Sequence, residues 1–349
     1  MPENLPCPPA PHFVHTLPKA ELHIHLEGSV DPGTLREIAR TKGRLQEQTE
    51  DWIRRQEERG FRYGSLPAFL EAFKGIAVLL ETPADYALAA ARLFERLASQ
   101  NVRYAEITLS AGVILWKKQS LPEIFEALAG ATADFTSGSP LRVQWIFDAI
   151  RHFGADHARE VLGWARIFRD DGVVAFGIGG DEDRGPAGLF STIFSEARSV
   201  GLHTTAHAGE SSGPESVRQA VERLGAERIG HGLAGARDSR VLDTLREHRV
   251  ALEVCLSSNV ATGAIKRVED HPLRRFIDAG IEVTLNTDDP ALFRTSLENE
   301  IALAIQAFEL NREEITGLLK NAIRSSFMPD DRKQTLLKEF DDCAAASGL

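Results

Sequence analysis

The stretch Glu21-Leu22-His23-Ile24-His25-Leu26 alternates strictly between polar and apolar residues. Successive side chains of an extended chain point to opposite faces, so a strand here carries His23 and His25 on one face and Leu22, Ile24 and Leu26 on the other. Short apolar runs rich in β-branched residues recur beyond it, at 102–109, 141–149, 173–179, 202–207, 228–230, 250–254 and 281–285. Together with 21–26 they supply the strands that a closed parallel barrel requires. Amphipathic segments at 85–98, 122–135, 155–169, 216–224 and 237–248 lie between them with helical periodicity, as the crossovers of parallel βα units do. The expected fold is therefore α/β, a (β/α)8 TIM-type barrel. The run at 228–230 carries the least periodicity and is included because a barrel needs it.

Residues 1–18 are proline-rich and are expected to form a flexible lead-in, with residues 19–349 folding as a single domain. A helical insert over about residues 29–101 separates the first two strands, densely charged in its middle and carrying Phe61, Phe69, Phe73 and Ile76 later on. Substrate-facing loops of a barrel leave the carboxyl ends of its strands, so this insert is placed to act as a lid, with Phe69 and Phe73 as candidate substrate contacts. The alternative is a solvated hairpin packed on the rim.

Composition narrows the function. With 43% hydrophobic and 26% charged residues the chain can bury a sizeable core. A formal charge of −11 repels phosphate polymers, so nucleic acid is not an expected partner and a small molecule is. Cys7, Cys255 and Cys343 form no C-x-x-C pair and no readable disulfide framework. No apolar run is long enough for a signal peptide or a bilayer span. A cytoplasmic enzyme without an obligatory protein partner is expected.

Two inward histidines on one strand can share a metal, but need partners. Those partners stand at the expected carboxyl ends of later strands: His207 and Glu210 in His-Ala-Gly-Glu, His231 in Ile-Gly-His-Gly, and Asp288-Asp289 in Asn-Thr-Asp-Asp-Pro. A lone histidine is more often a core residue and an Asp before a helix a cap, but four coincident positions outweigh those readings. His23, His25, His207 and Asp288 make a His and carboxylate set without thiolate, which suits Zn2+ first, with iron, cobalt or manganese as other occupants. The fourth strand, 173–180, lacks the lysine that would carry a bridging carbamate, so one metal per chain is expected. Glu210, three residues past a ligand, is the acid/base candidate. By residue type His231 is either a further ligand or a group that holds the attacking hydroxide. Gly177-Ile178-Gly179-Gly180-Asp181-Glu182 ends the fourth strand with little bulk and reads as a pocket wall that a flat ligand can approach.

Five pieces, 18–28, Gly180-Asp181-Glu182, 207–210, 228–232 and 286–290, run in the order found in adenosine deaminases, and the chain resembles that family over most of its length. The resemblance implies that His23, His25, His207 and Asp288 hold zinc, that Glu210 protonates purine N1, and that His231 orients the hydroxide attacking C6. It also implies that Asp289 hydrogen-bonds N7 and that the Gly180 N–H meets N3. The chain lacks the His-x-Glu and Pro-Cys-x-x-Cys signature of the nucleobase deaminases.

Glu27 stands where adenosine deaminases typically have an aspartate placed to meet ribose. Glutamate there is similar to relatives acting on adenine, on N6-substituted adenines or on 6-amino-6-deoxyfutalosine. The expected substrate is an adenine nucleoside, 6-amino-6-deoxyfutalosine ahead of adenosine and free adenine third. The carboxyphenyl arm of the first needs an aromatic surface and a cation; Trp116, Lys117, Lys118 and Arg151 lie near strand ends, with Arg151 the best-placed cation. A phosphotriesterase-like or cyclic-amidase barrel is the rival hydrolase, disfavoured by the missing lysine and by Glu210. A non-catalytic binding protein on the same fold ranks last, since every catalytic residue type is present.

Overall fold

The computed structural model describes residues 10–42 and 46–346. Its eight strands run Lys19–His25 (β1), Val102–Leu109 (β2), Arg142–Ile150 (β3), Val173–Gly179 (β4), His203–Ala208 (β5), Arg228–His231 (β6), Ala251–Val254 (β7) and Val283–Leu285 (β8). They form one sheet in the order β1 to β8, every neighbouring pair parallel. Closure comes from just beyond β8: Asp288 bridges to Ile24, its carbonyl accepting from His25 N at 2.8 Å and its N–H donating to His23 O at 2.9 Å. Two buried side chains stitch the same seam. Asn286 Oδ1 accepts from Leu22 N at 3.1 Å, and Glu21 Oε1 accepts from Thr287 N at 3.0 Å.

All eight expected strands are present, including the short one at 228, which is fully buried. β5 to β8 are brief because each must present only a few side chains to a crowded interior before its functional loop begins. The helices that pack outside are well specified locally. Pro83–Ser99 starts with a reciprocal capping box between Thr82 and Asp85, and Arg312–Ser325 with one between Asn311 and Glu314.

The barrel interior below the pocket is ionic rather than apolar. Arg228 on β6 donates to Glu253 on β7 at 2.5 Å and to Glu106 on β2, four strands away, and its guanidinium lies 3.7 Å from the Phe327 ring. Glu106 also accepts from Tyr104 OH at 2.9 Å and from Phe327 N at 2.5 Å. Such a network is costly to desolvate and persists only because each member is paired.

One expectation about the periphery changes. The lead-in was expected to be flexible through residue 18, yet its described part forms a helix at His12–Thr16, buries Val14 and Leu17, and accepts the Lys19 ammonium on the carbonyls of both; residues 1–9 lie outside the described residues. The insert is helical, at Pro32–Lys42, Gln46–Glu58, Leu66–Leu79 and Pro83–Ser99. Among the described residues, no helix is long and apolar enough to cross a membrane.

Candidate active site

The alternation of β1 puts His23 and His25 on its inner face, and the register of the seam sets Asp288 against them. His23 Nε2 and His25 Nε2 each lie 3.3 Å from Asp288 Oδ1. His207, at the end of β5, approaches His23 with ring centroids 4.6 Å apart. One donor atom from each of these four residues falls within 4.8 Å of all the others. His23 Nε2 is buried without a well-aligned hydrogen-bond partner, although Asp288 is near. Its other nitrogen is held by Glu253 Oε2 at 2.8 Å, which turns Nε2 inward, the arrangement that orients metal-binding imidazoles. Ser258 Oγ donates to Asp288 Oδ2 at 2.7 Å and fixes that carboxylate in turn.

His231 and Asp288 both adopt left-handed backbone, at φ 63° and 62°, a conformation that costs non-glycine residues energy and recurs where a site demands it. His231 Nε2 is 3.7 Å from Glu210 and 3.9 Å from Asp288, while the Asn259 amide holds Nδ1 at 3.2 Å. A further carboxylate, Glu182, at the end of the glycine-rich stretch after β4, clamps the loop bearing Glu210. It accepts from the backbone N–H groups of Gly209 at 2.7 Å and of Glu210 and Ser211 at 2.9 Å, and from Ser216 Oγ.

The environment sorts these groups by protonation. Burial, with Asp288 and Glu182 nearby, raises Glu210 to about 8, so it is a proton donor at neutral pH. Burial and the adjacent Asp288 charge push Asp289 well above the ordinary range. Asp288 goes the other way: burial opposes ionisation, but bonds to His23 and His25 hold it well below. Burial lowers His231 to about 4 and His207 well below its usual value, leaving both rings neutral.

All of this opens into one cavity of about 600 Å³, lined among others by His25, His207, Glu210, His231, Asp288, Asp289 and Gly180. The Leu66–Leu79 helix of the insert forms one wall, with Phe69 and Phe73 facing the cavity and the Phe73 ring 6.5 Å from that of His25. Gly28 is required by close packing: a Cβ there would sit 1.6 Å from Asp289 Oδ1.

Three expected pocket residues lie elsewhere. Arg151 is buried behind the wall, its guanidinium donating to the carbonyls of Gly185 at 3.0 Å and of His207, because the Arg151–Phe153 turn directs it inward. Glu27 is absent from the lining; its carboxyl turns to Ser110 N at 3.2 Å, and burial raises it to about 7. Lys117 donates to the carbonyls of Ala77 and Leu80, pinning the end of the insert helix. Asp148, conversely, was missed. It lies two residues before the end of β3, lines the cavity, and would be 2.8 Å from a Cβ on Gly177 and 3.0 Å from one on Gly179. A lone acid near the carboxyl end of a buried strand was the available signal.

The family model for adenosine deaminase matches residues 18–343. An aminodeoxyfutalosine deaminase of Streptomyces avermitilis is 36% identical over 96% of this chain and 93% of its own. An adenosine deaminase of Klebsiella pneumoniae is 32% identical over 93% of this chain and 97% of its own. Among solved structures, an adenine deaminase from Arthrobacter aurescens superposes with a TM-score of 0.86 at 29% identity, covering 93% of this chain and 98% of that one. With the motif residues gathered at one end of a parallel barrel and a family match over nearly its whole length, the chain belongs to the adenosine deaminase family and is a metal-dependent deaminase.

Proposed function

We propose that the chain hydrolyses the amine from C6 of an adenine nucleoside, releasing ammonia, with one Zn2+ held by His23, His25, His207 and Asp288. The observation that carries this is geometric: donor atoms of His23, His25, His207 and Asp288 converge within 4.8 Å of one another, and Glu210, His231 and Asp289 face the same cavity. The donor set fits zinc, since its members are nitrogen and carboxylate oxygen, converge, and include the orphaned His23 Nε2. When bound, such a cation lowers the pKa of water to about 7 and so supplies a nucleophile at neutral pH.

The chain's own residues do the rest. His231 orients the oxygen that adds to C6, and its neutral ring can hydrogen-bond that oxygen. Glu210 gives its proton to N1 as the C6–O bond forms, removing charge that would otherwise build on the ring. Asp289, as a protonated acid, donates to N7, and the Gly180 N–H meets N3, so the base is fixed along its edges. Of the two protons of the water, one replaces the proton that Glu210 gave up and the other passes to the departing nitrogen; the C6–N bond breaks, and a 6-oxopurine and ammonia remain.

The preferred substrate in this reading is 6-amino-6-deoxyfutalosine, ahead of adenosine and then adenine, which would give the enzyme a place in menaquinone biosynthesis. A cavity of about 600 Å³, far larger than a purine base needs, and the similarity to the Streptomyces enzyme support that order. Unpaired Cys255 and Cys343 support a reducing cytoplasmic setting. The test is ammonia release from adenine, adenosine, deoxyadenosine, N6-methyl and isopentenyl adenines, adenosine monophosphate and 6-amino-6-deoxyfutalosine. A much higher kcat/KM for adenosine than for 6-amino-6-deoxyfutalosine reverses the order, and no release from any of them removes the deaminase assignment.

A further inference from the structure

The purine contacts use only part of the cavity lining. A second group of residues lies on the same wall: Trp116, which ends the Ala111–Trp116 helix after β2, and Phe153, in the Arg151–Phe153 turn after β3. Their rings are stacked, with centroids 6.0 Å apart and planes 18° from parallel. Trp116 remains 49% exposed although it lines a pocket, an unusual place to leave a large aromatic surface in water. Phe153 also packs against the His152 ring at 4.9 Å and the His157 ring at 5.2 Å.

Two cations, Arg184 and Lys74, line the same cavity. Among the described residues neither takes part in an ion pair. Arg184 shares the lining with Trp116, Phe153 and the neighbouring His152. Besides the carboxyl groups of the purine end, Glu71, Asp181 and Asp183 share this lining. Against two cations they make the surroundings poor for a phosphate dianion, whereas one carboxylate paired to one guanidinium is well accommodated.

We propose that Trp116, Phe153 and Arg184 form a subsite for an aromatic carboxylate carried on the 5′ side of the nucleoside, the ring stacking on the Trp116–Phe153 pair and the carboxylate meeting Arg184. The proposal rests on the deaminase reading and assigns its specificity. The substrate class is then adenine nucleosides with an arylcarboxylate arm, not plain nucleosides or 5′-nucleotides.

Two readouts test it on the purified metal-loaded enzyme. In turnover, Trp116→Ala is expected to raise KM for 6-amino-6-deoxyfutalosine by about 10- to 100-fold more than KM for adenosine, with Trp116→Phe restoring most of the difference. Arg184→Gln is expected to cost the carboxylate substrate at least about tenfold in kcat/KM relative to adenosine. Equal losses on both substrates, or none on either, overturn the subsite, as does a parent preference for adenosine monophosphate that Arg184→Gln abolishes. In binding, the deaminated product futalosine is expected to quench tryptophan fluorescence more than inosine does, and Trp116→Phe to remove that excess. Futalosine binding no tighter than inosine overturns the subsite. Tight futalosine binding without turnover of any adenine compound overturns the deaminase reading and leaves the subsite standing.

Discussion

Arg228→Met removes a buried cation while roughly keeping its volume, so the loss is electrostatic rather than steric. The guanidinium is 1% exposed and holds Glu253 at 2.5 Å, Glu106 and the Ser325 carbonyl. Removing one partner from a buried ion pair costs about 3–5 kcal/mol, because the remaining charge stays desolvated. An unfolding entropy of about 2.1 cal/mol/K per residue gives roughly 0.7 kcal/mol/K for a chain of this length, so Tm should fall by about 4–7 °C. The pH dependence has a definite sign. In the parent, burial raises Glu253 but Arg228 and His23 outweigh it and hold the carboxyl below its ordinary value, so its stabilisation is present above the unfolded pKa and lost as pH falls through the folded one. In the variant burial is no longer offset by Arg228, the folded pKa rises, and protonation relieves the penalty. The gap in Tm between parent and variant should therefore narrow between pH 8 and pH 5, as read by scanning calorimetry. Glu253 also holds His23 Nδ1 at 2.8 Å, so metal affinity should weaken about 10- to 100-fold. A Tm loss under about 1 °C, or a gap that widens in acid, would refute the reasoning.

Glu210→Gln should retain one equivalent of metal and lose about 10²–10⁴ in kcat, since the amide fills the same space without a transferable proton. Because Glu210 acts protonated, with a value of about 8 that a bound cation draws down, parent activity should decline as pH rises toward that value; a variant with near-normal kcat sinks the proton relay. Gly28→Ala places a methyl 1.6 Å from Asp289 Oδ1 and must displace that carboxyl, so kcat/KM should drop at least about tenfold with metal content unchanged; full activity would remove Asp289 from the purine site. His23→Ala, or dialysis against a chelator, should abolish the single metal equivalent and activity together, and elemental analysis finding two equivalents in the parent would contradict the one-metal site.

The eight strands were legible because each couples a short apolar run to the end of a helical segment, and the metal-site histidines because β1 alternates so cleanly. Position relative to a strand end did not reveal side-chain direction. Arg151 directly follows β3 and Lys117 follows the short helix after β2, yet one turns behind the wall and the other onto helix carbonyls, since each satisfies backbone acceptors that only the folded chain brings near. Glu106 and Glu253 carried no local signal, because their partners lie on other strands, and Glu182 stood in a motif whose partners on the loop after β5 only the fold brings near. Asp148 was hidden for a related reason: its carboxyl fills space left by glycines on the neighbouring strand.

The seam between β1 and β8 has a consequence for how the molecule comes to exist. Seven strands can curl together as the chain emerges, but they remain an open sheet with two unpaired edges, a hazard for association with other chains. Only when residues 283–288 arrive does Asp288 bridge to Ile24, and that same residue completes the donor set with His23, His25 and His207. A cation held across this junction would tie together points about 265 residues apart, a cross-link that loop-closure scaling values at roughly 5–6 kcal/mol. On the proposed reading the ion would be a clasp as well as a reagent, and catalytic competence would itself report that the barrel has closed.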